Sequence, residues 1–211
     1  MEEKLKFNEI LRARDNVHYN FRALDGYNKF WNFVISPRND GKSTEFLLMK
    51  AYKKFYEEGK CSIFFRRNLC DLTDAYMESQ QDIINKFLKD EHQIKISYKT
   101  SSKGDGCIDA KINDKVFIRF IGLNQRTTKL KSLFLSDLAY GFLDEFIVNV
   151  RTGEKYLPGE AFKMKEVCNT FWREAHDLKI YFCGNPYSLY NPYFSELDIQ
   201  AFKLKKGTLT S

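Results

Sequence analysis

The chain has 211 residues, enough for one large domain, and 43% of them are hydrophobic, ample to fill its core. A formal net charge of +6 suits a polyanionic partner such as nucleic acid but is silent on fold. Five scattered cysteines without a CxxC pair, and three histidines without ligand spacing, exclude a disulfide framework and a zinc site. The amino terminus lacks an apolar signal-peptide core and no apolar run approaches a membrane span, so a soluble cytosolic protein is expected.

Residues 6–28 mix charge with aromatics and predict a short helix followed by a turn at Asp25-Gly26. Residues 30–35, an aromatic and β-branched run, predict a buried strand, broken at residues 36–42 by Pro, Asn, Asp and Gly. Leu47 or Leu48, Ala51 and Phe55 then recur at helical spacing up to Gly59, a C-cap candidate. Residues 62–65 form the second expected strand, ending in Arg66-Arg67, and Asp71 or Thr73 caps a helix to about residue 89. Extended pieces near residues 94–100 and 107–112 are joined by a Ser-Ser-Lys-Gly-Asp-Gly turn. Residues 115–121 alternate as a strand, residues 124–132 suggest a loop, and residues 141–143 a short strand ending at Asp144-Glu145. A charged loop over residues 149–160 precedes a helix from Pro158 or Glu160 to about His176. The strand at 179–183 ends at Gly184-Asn185-Pro186, and residues 201–206 are a candidate last strand. Apolar strands alternating with helices predict an α/β fold with a mostly parallel sheet.

The break at Ser36-Pro37-Arg38-Asn39-Asp40-Gly41-Lys42-Ser43, followed by Thr44, lies between strand and helix, the setting a phosphate-binding loop requires. Backbone N–H groups and a helix N-terminus would face the anion, Lys42 would add a point charge, and the Ser43 hydroxyl would reach Mg²⁺. The pattern GxxxxGK[ST] is met except at its first position, where Ser36 replaces Gly; a polar turn with an exposed lysine is the alternative. Asp144 and Glu145 end an apolar strand, where one carboxylate can hold Mg²⁺ and the next polarise water. Asn185, ending the next strong strand, can reach a γ-phosphate, or belongs to an ordinary Asn-Pro turn.

In that order and spacing the motifs resemble the ATPase domain of viral genome-packaging motors, the large-terminase family. Arg38 stands four residues before Lys42, and the following strand ends in Arg66. Phe120-Ile121-Gly122-Leu123 with Lys129-Leu130-Lys131-Ser132 is similar to the segment before that family's Walker B strand, and Asp144-Glu145 and Gly184-Asn185-Pro186 resemble its Walker B and coupling motifs. The size is most similar to packaging ATPases of phi-29-like tailed phages. The resemblance implies a P-loop NTPase fold of the additional-strand, catalytic-glutamate type, with Mg²⁺ and ATP as cofactors. It makes Glu145 the base, with Arg38 a further catalytic candidate and Arg173 a finger reaching a neighbour's γ-phosphate. An exposed helix arginine is the alternative for Arg173.

The resemblance further implies a homo-oligomeric ring, a pentamer in the family, at a prohead portal in the infected host's cytoplasm, away from any membrane. Double-stranded DNA is the expected partner and a scaffold RNA a further candidate. One ATPase domain over residues 1–211 is expected, with 1–28 an extension, 29–200 the core, and no nuclease-like domain after it. Arg126, Lys129, Lys131 and Lys103 can contact DNA, act in trans, or simply be solvated. A helicase-like translocase, a small-molecule kinase, and a basic nucleic-acid-binding module with an inactive phosphate loop are the competing functions.

Overall fold

Long apolar runs with little alternation demand strands buried on both faces. The computed structural model, which describes residues 5–12, 29–100, 107–133, 135–200 and 203, builds seven strands into one sheet, with strands of this kind at its centre. They are β1 (Trp31–Ile35), β2 (Cys61–Arg66), β3 (Ser97–Thr100), β4 (Cys107–Ile112), β5 (Lys115–Gly122), β6 (Leu138–Asp144) and β7 (Lys179–Gly184), in the order β1-β7-β6-β2-β5-β4-β3. The first five in that order run parallel, while β4 and β3 extend the sheet antiparallel from β5. The Asp25-Gly26 turn and the turn carrying Lys103 lie outside the described residues, as does the strand expected over 201–206 apart from Lys203.

Strand alternation splits the core in two. On one face Ile63 and Phe65 of β2, Leu143 of β6 and Phe182 of β7 pack with Met164, Val167 and Phe171. On the other, Phe64, Phe120, Phe142 and Tyr181 pack with Phe46, Leu47, Ala51, Met77 and Ile84. The aromatic excess is chiefly core: Phe33 stacks on Phe182 at 4.6 Å and Phe46 on Phe142 at 4.0 Å.

Helices cover both faces. After β1 one unbroken helical stretch comprises α1 (Lys42–Thr44), a π-helical segment (Glu45–Tyr52) and α2 (Lys53–Glu58), closed by Gly59 at φ 72° as the spacing predicted. The wide π winding brings positions five apart toward one face. Glu45 and Lys50, both buried, thereby line one small cavity with Lys42, Tyr181 and Cys183. Thr73 caps α3 (Asp74–Asn85), its hydroxyl accepting from the Tyr76 N–H. α3 stops short of residue 89 because Leu88 pairs with Leu11 and the Lys89 N–H donates to Ile10, which holds this segment extended. The expected loop at 124–132 contains a short helix, α4 (Thr127–Lys131), which buries Leu130. Beyond it lie α5 (Glu160–Glu174) and α6 (Pro192–Glu196), the latter capped by Asn191.

Because β1, β7, β6 and β2 are parallel, their C-terminal ends meet at one sheet edge. Register pairs Ile35 with Gly184 and Asp144 with Cys183. Ser36, Asn185 and Glu145, distant in sequence, thus emerge side by side. No described helix is long and apolar enough to cross a membrane.

Candidate functional site

Residues that follow parallel strands leave the sheet into the crevice where α/β folds bind ligands. After β1 the Ser36 N–H still pairs with the Gly184 carbonyl at 3.2 Å, and the chain then turns through Asn39 (φ 68°) and Gly41 (φ 85°). Asn tolerates the left-handed region better than most residues, and Gly enters it freely. The Gly41 carbonyl accepts from the Glu45 N–H at 2.8 Å and opens the helix. The loop borders a cavity of about 260 Å³ lined by Arg38, Asn39, Asp40, Gly41, Lys42, Ser43, Thr44, Asp144, Glu145 and Asn185.

Lys42 lies at the centre of this arrangement. Its Nζ donates to the Ser36 carbonyl (2.8 Å), the Pro37 carbonyl (2.7 Å), Ser36 Oγ (3.1 Å) and Asn185 Oδ1 (3.3 Å). Burial draws the Lys42 pKa below its ordinary value, against the opposing pull of Cys183, Asp144 and Asp40. An anion in the cavity would favour the charged ammonium.

The acidic pair is split by environment. Burial pushes the Asp144 carboxyl up to about 6, with Arg66 opposing, Glu145 adding, and the Glu145 N–H and Lys42 opposing. Glu145 instead leaves its side chain 44% exposed at the cavity. Its backbone is left-handed, φ 56°, in a conformation few residues with a Cβ adopt. The step out of β6 thus turns two adjacent carboxylates to different surroundings.

Two arginines at the end of β2 surround this step. Arg66 Nη1 lies 3.4 Å from Glu145 Oε2 and 3.9 Å from Asp144 Oδ2, with its guanidinium over the Tyr76 ring at 4.5 Å. Its Nε is buried and has no hydrogen-bond partner among the described residues. Arg67, on the opposite face, donates to the Glu145 carbonyl at 3.1 Å and forks onto Glu160. The sequence alone revealed neither Arg67 nor Glu160 as part of the site. One signal was present: Glu160 falls on the apolar face of α5 with Met164, Val167 and Phe171, so its burial could have been read from the periodicity.

Ser43 and Asp144 offer hard oxygen donors to the same cavity. Among the described residues no cluster of three or more metal-binding side chains exists. That donor set fits Mg²⁺, which keeps several waters and takes one or two protein oxygens beside phosphate.

The predicted residues do not all meet. The loop residues Ser36 to Thr44, Asp144, Glu145 and Asn185 converge. Arg173 does not: it is exposed in the last turn of α5, a helix of 15 residues that spans about 22 Å from its buried start at Glu160. Lys131 pairs with Glu166 of α5 at 2.9 Å, and Lys163 Nζ donates to the carbonyls of Leu123 and Gln125, fastening the segment around α4 to α5.

The family model for the Podovirus DNA encapsidation protein (Gp16) matches residues 13–202, nearly the whole chain and every residue of this cavity. The chain belongs to that family. That makes it a member of a phage DNA packaging family, and the resemblance drawn from the motifs holds to that extent. Solved structures agree in fold. The N-terminal domain of the DNA packaging ATPase from bacteriophage phi29 has 22% identity over 87% of each chain, with a TM-score of 0.69. The bacteriophage Phi-29 viral genome packaging motor assembly matches at 22% identity, 87% of this chain and 51% of that chain, with a TM-score of 0.65. The Phi-28 gp11 DNA packaging motor matches at 17% identity, 87% and 54%, with a TM-score of 0.61. This Gp16-family chain therefore spans about half the length of the two motor chains. Comparison with curated proteins returns no match.

Proposed function

We propose that the chain is an ATP-hydrolysing motor domain, a P-loop NTPase of the additional-strand, catalytic-glutamate type, that drives double-stranded DNA into a prohead. The observation that carries this is the convergence of Lys42, Ser43, Asp144, Glu145 and Asn185 on one cavity at the C-terminal edge of parallel strands. Family membership and the fold of phage packaging ATPases support it.

In this scheme the backbone N–H groups of residues 38–44 cradle the phosphates and Lys42 moves its ammonium from loop carbonyls to phosphate oxygens. Ser43 and Asp144 would hold Mg²⁺, and Asp144 would be ionised with the cation present. When bound, Mg²⁺ supplies positive charge to the phosphate oxygens and the departing diphosphate. Glu145 accepts a proton from the water that attacks the γ-phosphorus, and the bond to the bridging oxygen breaks to leave ADP and phosphate. Asn185 senses the γ-phosphate through its amide, and Arg38 at the cavity edge adds charge. Arg173, exposed and remote from its own chain's cavity, acts in trans in a homomeric ring at the portal. Arg126, Lys129 and Lys103 remain the candidates for DNA or trans contact; Lys131 is secondary because Glu166 holds it.

The decisive experiment is Lys42→Ala in nucleotide titration and ATPase assays with Mg²⁺. Loss of binding and turnover is expected. Unchanged affinity and hydrolysis would reject the phosphate-loop assignment and favour a basic nucleic-acid-binding module with an idle loop.

A further inference from the structure

Arg66 and Arg67 leave β2 on opposite faces of the sheet and straddle Glu145. Arg66 acts on the Glu145 side chain, 3.4 Å from its carboxylate. Arg67 acts on the main chain. Its Nη2 donates to the Glu145 carbonyl at 3.1 Å, while Nε and Nη2 grip the Glu160 carboxylate at 2.8 and 3.0 Å. That carboxylate is otherwise fully engaged: Oε1 accepts the Tyr193 hydroxyl at 2.7 Å and Oε2 the Leu157 N–H at 2.8 Å. The Arg67 guanidinium lies over the Tyr156 ring at 5.4 Å, and the ion pair is buried, with side-chain exposures of 13% and 0%.

Such a network could serve packing alone, but its position argues for more. Glu145 holds φ 56°, where its Cβ crowds the carbonyl oxygen, so this backbone persists only if its surroundings impose it. The N–H of Glu145 is taken by Asp144 Oδ1 at 3.0 Å and the next N–H, of Phe146, by the Cys183 carbonyl at 3.1 Å. Arg67 restrains the remaining polar group of this residue's main chain. A planar fork locked on Glu160 has no freedom to follow if the Glu145 peptide rotates.

We propose that Arg67 is a positioning residue for hydrolysis: it fixes the left-handed backbone that aims the Glu145 carboxylate into the cavity, with Glu160 and Tyr193 fixing Arg67 in turn. The inference rests on Glu145 being the base assigned above. It makes the aim of that base answer to α5, to α6 and to the segment carrying Leu157, none of which lines the cavity.

The test compares wild type, Glu145→Gln, Arg67→Lys and the double variant in steady-state hydrolysis of Mg²⁺-ATP, with nucleotide affinity measured by calorimetry. Lysine keeps the charge beside Glu160 but has no planar fork to hold the carboxylate and the Glu145 carbonyl together. The expected result for Arg67→Lys is a kcat lower by about 10- to 100-fold, with KM and affinity within about twofold of wild type. In the Glu145→Gln background it should add no further loss. Wild-type kcat, a loss of affinity as large as the loss of kcat, or the full loss repeated on top of Glu145→Gln overturns the proposal. If Arg67→Lys does not fold, Tyr193→Phe removes one hydrogen bond from Glu160 at equal packing. A kcat lower by about threefold at unchanged KM then supports it, and an unchanged kcat overturns it. Should Glu145→Gln hydrolyse ATP as fast as wild type, the base assignment itself fails, which is separable from a failure of Arg67 alone.

Discussion

Replacing Asp144 with Asn should stabilise the nucleotide-free chain at neutral pH and leave its stability unchanged in acid. The Asp144 carboxyl titrates at about 6 in the folded chain against an ordinary 3.8, chiefly because it is buried. The folded state thus holds this proton more tightly than the unfolded state. Between about pH 4 and pH 6 the folded chain is the more protonated, so this group's contribution to stability falls as pH rises. Each pH unit separating the two titrations corresponds to about 1.4 kcal/mol, which sets about 3 kcal/mol as the full penalty above pH 6. The side chain is 19% exposed, and solvent relieves part of the cost, so about 1–3 kcal/mol is expected. Asparagine keeps the shape and the acceptor for the Glu145 N–H but cannot ionise. Urea unfolding of both chains at pH 4.5, 6 and 8 measures the difference, which should grow through pH 6 and then level off. In melting temperature it amounts to about 2–10 °C at pH 8. A variant less stable than wild type at pH 8, or equally stabilised at pH 4.5, would refute the reasoning. If Asp144 ligates Mg²⁺ as proposed above, the gain should reverse with Mg²⁺-ATP present.

Glu145→Gln should bind ATP at near wild-type affinity but stall turnover by about 100-fold or more, since the amide cannot accept the water's proton; single-turnover hydrolysis checks this. Gly184→Ala should destabilise by about 1–3 kcal/mol in urea unfolding. A Cβ there would stand 2.9 Å and 3.0 Å from two Phe146 ring atoms and 3.1 Å from Ile147 Cγ1, with no flexible chain end to yield. Arg173→Ala should bind ATP normally but hydrolyse it poorly, and mixing it with Lys42→Ala should restore activity; full activity alone at every protein concentration would remove Arg173 from the mechanism. Duplex DNA binding by fluorescence anisotropy should weaken steeply with salt and ignore sequence, as phosphate contacts require.

The local features of this chain were legible in its residues because local rules produce them. A run of large apolar side chains makes β1, the Gly-Lys-Ser break after it makes the loop, and Gly59 ends the helix that follows. Asp144-Glu145 and Asn185 were recognisable because each ends an apolar strand, and a parallel sheet gives such positions one shared edge. Only the tertiary structure decided which strands are neighbours. It inserts β7 between β1 and β6, and so lets Asn185 Oδ1 reach Lys42 across 143 positions of sequence. It ends α3 early through the pairing of Leu88 with Leu11 and folds α4 within an apparently featureless polar stretch by burying Leu130. It also turns Glu160 inward to Arg67, where both charges are tolerated because each pairs with the other and the Tyr193 hydroxyl, the Leu157 N–H and the Glu145 carbonyl satisfy the rest. Burial, left-handed strain at Glu145 and the upward shift of Asp144 are properties of what packs against a residue, and that packing is assembled from segments no local pattern connects.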